Sequence, residues 1–145
     1  RPDVALALGA DGVHVGQSDL PVDVARRVIG TGLVGLSTHA PSEIDRALSQ
    51  RGLDYIAVGP VHATPTKPGR PAAGLELIRH AARRVKIPWF AIGGIDEATL
   101  PAVMDAGARR IVVVRAITEA PAPAAAAARL RAQLETPETL RVQPC

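Results

Sequence analysis

"DYIAVGPVHATPTKPGRP", residues 54–71, begins as a strand and ends as a stiff loop. The apolar run Tyr55 to Val58 is bounded by Asp54 and Gly59, which is the length and punctuation of a buried strand. Past Gly59 the chain carries Pro60, Pro65, Pro68 and Pro71, with Thr64, Thr66 and Lys67 between them. Proline fixes φ and lowers the entropy of the free loop, so the backbone is partly set before a ligand arrives. Two hydroxyls beside an ammonium suit an anion, phosphate above all. A proline-rich surface turn whose lysine points into water is the competing reading.

Outward from this stretch the same rhythm recurs. Apolar β-type runs fall at DGVHVG (11–16), GLVGLS (32–37), PWFAIGG (88–94) and RRIVVV (109–114), with helix-period segments at 21–30, 41–51, 74–86, 96–106 and 121–134. In PSEIDRALSQRG, Ile44, Ala47 and Leu48 stand at i, i+3 and i+4, Ser42 is placed to cap the helix and Gly52 to stop it. In GIDEATLPAVMDAGA, Asp96 reads as the start signal and Gly107 as the stop. Pro101 inside that segment predicts either a kink or the first full turn. Strand and helix alternating at this spacing predict an α/β fold with a parallel sheet. Five strands satisfy an open doubly wound sheet or part of a (βα)8 barrel equally well. The chain opens with RPDVALALGA, a helical pattern with no strand before it. A closed barrel needs eight strands, so the barrel reading carries the expectation that the first three are missing and that strands 4 to 8 are present.

Composition narrows the class. Of 145 residues, 47% are hydrophobic but only 2% aromatic, so the core has to be built from Ala, Val, Leu and Ile. The formal charge of +3 is spread along the chain, and without interleaved aromatics this is no nucleic-acid reader. Cys145 is the sole cysteine, which excludes an internal disulfide and a cysteine-rich zinc site. No apolar run reaches the ~18 residues of a membrane helix. A soluble cytoplasmic protein is expected, with one domain over 1–134 and a flexible, period-free tail over 135–145.

The ligand-facing loops of a parallel α/β sheet follow the C-terminal ends of its strands. Those ends read GQSD (16–19), STH (37–39), GPVHATPTK (59–67), IGGI (92–95) and VRAIT (114–118). Asp19 is placed either to hold Mg²⁺ together with phosphate oxygens or to cap the helix that follows Pro21. Gly93 and Gly94 bare the backbone for a phosphate or simply supply a turn at positive φ. Val114 and Arg115 are placed to add N–H groups to the same phosphate. His14 and His39 are read as structural or lining histidines in preference to proton carriers.

"DGVHVGQSDLP", "GLSTH", "DYIAVGPVHATPTK", "AIGGI" and "VVVRAI", in this order and spacing, resemble the thiamine-phosphate synthase family over residues 1 to about 134, its C-terminal two-thirds. The resemblance implies a (βα)8 TIM barrel that joins 4-amino-2-methyl-5-(diphosphomethyl)pyrimidine to 4-methyl-5-(2-phosphoethyl)thiazole, giving thiamine phosphate and pyrophosphate with Mg²⁺. It implies that Asp19 is one of two magnesium aspartates, that Ser37 and Lys67 bind the pyrimidine diphosphate and assist its departure, that Thr64, Pro65 and Thr66 serve the thiazole side, and that Gly94, Val114 and Arg115 hold the thiazole phosphate. Arg115 departs from the family's usual serine and preserves the backbone N–H. The family's Gln-Arg-Lys segment and its Asn-Asp-Arg turn, of which Arg1 would be the last residue, would precede this chain, so a fragment that is inactive alone is expected. Its partners would be the two small-molecule substrates, and a homo-oligomer is compatible with them. Two alternatives stand beside it: a thiazole tautomerase using a histidine near His39, against which TPTK argues, and a non-catalytic half-barrel that only binds phosphate.

Overall fold

A computed structural model describes residues 1–64 and 71–135. Pro65, Thr66 and Lys67, and the expected tail from residue 136 onward, lie outside the described residues. The elements are α1 (Pro2–Ala7), β1 (Gly12–Val15), α2 (Val22–Ile29), β2 (Leu33–Thr38), α3 (Pro41–Leu48), β3 (Tyr55–Val58), α4 (Gly74–Arg84), β4 (Trp89–Ile92), α5 (Leu100–Asp105), β5 (Ile111–Val112), α6 (Arg115–Thr118) and α7 (Pro123–Glu135).

All strand pairs are parallel, and the sheet order is β1-β2-β3-β4-β5. A doubly wound sheet reverses its order at a switch point, and no reversal occurs among these five strands. The strands are laid down consecutively, as a (βα) barrel is wound. Pairing Val13 with Val34, Leu36 with Ile56 and Val58 with Ala91 sorts the side chains onto two faces. One face carries Val15, Val34, Leu36, Ile56, Val58 and Ala91, each buried. Thr38 lies among them fully buried, and its hydroxyl donates to the Ala57 carbonyl at 3.0 Å, so the polar atom is satisfied within the sheet. The other face carries Ala57, which is buried, and His14, Leu33, Ser37, Tyr55, Phe90, Ile92 and Val112, which are half-buried or exposed.

The interior is aliphatic, as the composition requires. Ile44, Ile56, Ile78 and Leu100 are the largest fully buried side chains, packed with Ala25, Ala47, Ala81 and Ala108, whereas Tyr55, Trp89 and Phe90 stay half-buried. Small helix faces let helices sit close on a parallel sheet.

Helix ends differ from the sequence reading in instructive ways. Ser42 does not cap α3: Ala40 is the N-cap, Pro41 opens the helix, and Glu43 reaches back to accept the His39 N–H at 2.7 Å. Proline at the first position displaces the serine into the helix, where its hydroxyl no longer faces the orphan N–H groups. Helix α5 starts at Leu100 rather than at Asp96, and Pro101 falls in its first turn without kinking it. The Asp96 carboxylate instead accepts from the N–H groups of Ala98 (3.0 Å) and Thr99 (2.8 Å), closing a turn ahead of the helix. Gly107, at φ +107, follows the C-cap Ala106 as expected. The short α6 has no counterpart in the sequence reading, because four residues carry no period.

Candidate functional site

Four strand ends converge on one cleft of about 470 Å³ at the C-terminal edge of the sheet. The end of strand β2 contributes Ser37 and His39, the loop after β3 contributes Gly59, Pro60, Ala63 and Thr64, the loop after β4 contributes Gly93 to Asp96, and the stretch after β5 contributes Val114, Arg115 and Glu119. The loops after β3 and β4 are joined along their backbones. Val61 N–H donates to Ile92 O at 2.9 Å and His62 N–H to Gly93 O at 3.0 Å. Only glycine permits this approach: a Cβ on Gly93 would stand 2.5 Å from Pro60 Cα, and one on Gly94 2.7 Å from His62 Cβ. Both also sit at positive φ, +105° and +62°. The turn reading of the glycine pair is therefore correct, and it coexists with an open cleft surface at Gly94.

The base of the proline-rich loop is pinned as well. Ala73 N–H bonds Pro60 O at 2.8 Å and Gly74 N–H bonds Val61 O at 3.1 Å, so the chain leaves and rejoins the sheet beside the cleft. Thr64 lines the cleft at the start of that loop.

The cleft thus gathers Ser37, Thr64, Gly94, Val114 and Arg115 from the sequence-predicted set. The N–H groups of Gly94, Val114 and Arg115 donate to no backbone carbonyl among the described residues. Arg115 adds its side chain to the wall, paired with Glu119 at 2.8 Å. This pairing raises the Arg115 pKa and lowers that of Glu119, each by a direct hydrogen bond. Asp96 is held below the ordinary carboxylate value by bonds from Thr99. His39 Nδ1 donates to Gly59 O at 2.5 Å, tying β2 to the β3 loop. Sequence reasoning marked His39 as a lining residue but missed Asp96 and Glu119 as cleft walls. Glu119 stands four residues after Arg115 on a single helical turn, a spacing that could have flagged it.

Asp19 stands apart from this group. It lines a smaller hollow of about 240 Å³ with Gln17, Arg46 and Gln50, and its carboxylate accepts the Gly16 N–H at 2.7 Å. It does not cap α2, whose N-cap is Pro21 with no side-chain bond. Among the described residues no group of three or more His, Cys, Asp or Glu could hold a metal. Magnesium commonly binds through one or two carboxylates and substrate phosphates without an all-protein cage. The exposed Asp19 carboxylate fits that role as one ligand.

Parallel strands laid down in sequence order, with a cleft at their C-terminal ends, define the chain as a barrel-type (βα) protein. The family model for thiamine monophosphate synthase matches residues 1–117, and the chain belongs to that family. A thiamine-phosphate synthase of Thermus thermophilus is 60% identical over 135 residues, covering 92% of this chain and 65% of the relative. One from Mycobacterium sp. strain KMS is 60% identical over 133 residues, covering 90% and 58%. The solved structure of a thiamine phosphate pyrophosphorylase from Pyrococcus furiosus superposes with a TM-score of 0.82 at 36% identity, covering 93% of this chain and 64% of that one. The chain therefore spans about two thirds or less of the length of these relatives.

Proposed function

We propose that this chain forms the thiazole-phosphate side of a thiamine-phosphate synthase, a transferase that couples 4-amino-2-methyl-5-(diphosphomethyl)pyrimidine with 4-methyl-5-(2-phosphoethyl)thiazole. The observation that carries the reading is the convergence of Thr64, Gly94, Val114 and Arg115 on one cleft that Ser37 also lines. Free N–H groups on a backbone fixed by glycine form a preorganised cradle for a phosphate. The half-exposed sheet face supports a sheet that works as part of a closed barrel, because parallel sheets are normally covered on both faces. We assign the remaining pyrimidine diphosphate contacts to strands outside these residues.

Loss of pyrophosphate from the pyrimidine methylene leaves a cation that the electron-rich ring stabilises, so the departing group needs the help. Lys67 is assigned to neutralise its developing charge, and Ser37 to hydrogen-bond the pyrimidine diphosphate. Asp19 would hold Mg²⁺, which when bound supplies further neutralisation of the diphosphate. The cleft then contributes position: a thiazole held by its phosphate presents its ring nitrogen to the cation without acid-base assistance. His39 on the cleft wall is the observation that favours the tautomerase alternative, and an assay of tautomerisation against coupling separates the two.

Calorimetric titration tests the assignment. The chain should bind thiazole phosphate, lose that binding in Gly94→Val, bind pyrimidine diphosphate more weakly and show no coupling alone. Absence of thiazole phosphate binding would defeat the site, and coupling by this chain alone would defeat the division of roles. In the coupling enzyme, Lys67→Ala should lower turnover by on the order of 10²- to 10³-fold with thiazole affinity little changed.

A further inference from the structure

His14 lies on the half-exposed face of the sheet and bridges two hydroxyls. Its Nδ1 is 3.0 Å from the Tyr55 hydroxyl on β3, and its Nε2 is 2.9 Å from Ser37 Oγ on β2. The rings meet across β2 only because Gly35 lies between them. A Cβ there would stand 2.1 Å from Tyr55 Cζ and 2.5 Å from His14 Nδ1. Phe90 packs edge-on against Tyr55, with centroids 5.7 Å apart, and fixes the phenol from the far side. The end of β2 is held too, since Gln17 Nε2 donates to the Ser37 carbonyl at 2.6 Å and Arg46 holds Gln17 at 2.8 Å.

The direction of this chain of bonds follows the tautomer of His14. Burial raises the Tyr55 pKa, so the phenol keeps its proton, and His14 Nδ1 is its hydrogen-bond partner among the described residues. With Nδ1 as the acceptor, Tyr55 donates to it. A neutral imidazole that accepts at one nitrogen carries its proton on the other, so Nε2–H donates to Ser37 Oγ. With its oxygen already accepting from the ring, Ser37 has its own proton left for the cleft, which it lines.

We propose that Tyr55 and His14 are positioning residues that set the Ser37 hydroxyl as a hydrogen-bond donor toward an acceptor atom of the bound ligand, a phosphoryl oxygen above all. The proposal rests on the cleft being a phosphoryl-ligand site. Without the Tyr55 donor the ring loses its bias toward the Nε2–H tautomer and Ser37 can spend its proton on the ring, so the cleft loses a donor while the fold stays intact.

The test uses the whole chain, labelled with ¹⁵N at histidine, and inorganic pyrophosphate as probe. Two-bond ¹⁵N–¹H spectra should show His14 as the Nε2–H tautomer, and Tyr55→Phe should abolish that preference with little change in melting temperature. Pyrophosphate affinity should fall about five- to tenfold in both Ser37→Ala and Tyr55→Phe, the range expected for one neutral hydrogen bond. In the double variant it should fall no further. An Nδ1–H tautomer in the parent chain, a tautomer unmoved by Tyr55→Phe, or losses that add in the double variant would each overturn the proposal. If even the parent chain fails to bind pyrophosphate, the functional reading above loses support, and the tautomer spectra alone decide this one.

Discussion

Asp96 shows how a single residue can be read correctly as a signal and wrongly as to what it signals. An acidic residue ahead of an apolar period marks a helix start, yet here it closes a turn three residues before Thr99 caps α5. Its contribution carries a pH signature. Bonds from Thr99 hold its folded-state pKa below the ordinary 3.8, so folding favours the ionised form. The stabilisation is complete above the unfolded value and is lost as pH falls through the lower folded one. Asp96→Ala should cost about 0.5–2 kcal/mol at neutral pH, the usual range for a lost cap-type acceptor. Urea midpoints of the parent and Asp96→Asn should differ by a constant gap at neutral pH that closes below the ordinary carboxylate range. A gap that widened on acidification would refute the assignment.

At the scale of elements, the two edges of the sheet do different work. The C-terminal edge holds the cleft, and the N-terminal edge is tied by Arg26. From α2 its guanidinium donates to Gly52 O at 3.0 Å, Gly30 O at 2.7 Å and Gly32 O at 2.5 Å, and pairs with Asp54. Asp54 in turn accepts the Val34 N–H at 2.6 Å, so one side chain locks the entrances to β2 and β3. Arg26→Ala should lower stability by about 2 kcal/mol, allowing for the partial exposure of the pair. Arg26→Lys should recover only part of it, because an ammonium cannot reproduce the planar fork. Thiazole phosphate affinity should be unchanged in both, since the cleft lies at the opposite edge. Chemical denaturation and calorimetry on the same samples check the two halves of this prediction, and an affinity loss as large as the stability loss would contradict it.

For the whole molecule, the consequence of the fold is an uneven sheet. The face under the helices is buried, whereas the opposite face exposes Leu33 at 54% and Val112 at 36%. Apolar surface of this kind on a sheet with two edge strands invites association between copies. The chain should self-associate in sedimentation experiments, and Leu33→Lys should shift it toward monomer while changing stability by no more than about 0.5 kcal/mol, the usual range for a surface substitution. A monomeric parent chain, or a variant that sediments identically, would show that this face is not what drives association.

The strands and helices were legible in the sequence because their signals are local. Apolar runs such as Tyr55–Val58 and the period of Ile44, Ala47 and Leu48 need no distant partner, and the residues after each run, Ser37, Thr64, Gly94 and Val114 among them, could be assigned to one edge by topology alone. What needed the tertiary structure depends on residues far apart in the chain. Sequential strand order, which separates a barrel-type sheet from a doubly wound one, is a fact about pairing between strands. The separation of Asp19 from the cleft depends on where loops come to rest relative to one another. The bridge from Tyr55 through His14 to Ser37 exists only because register sets residues 14, 35 and 55 side by side, with a glycine in the middle. Periodicity gives each strand its faces; register between strands decides which side chains meet across them.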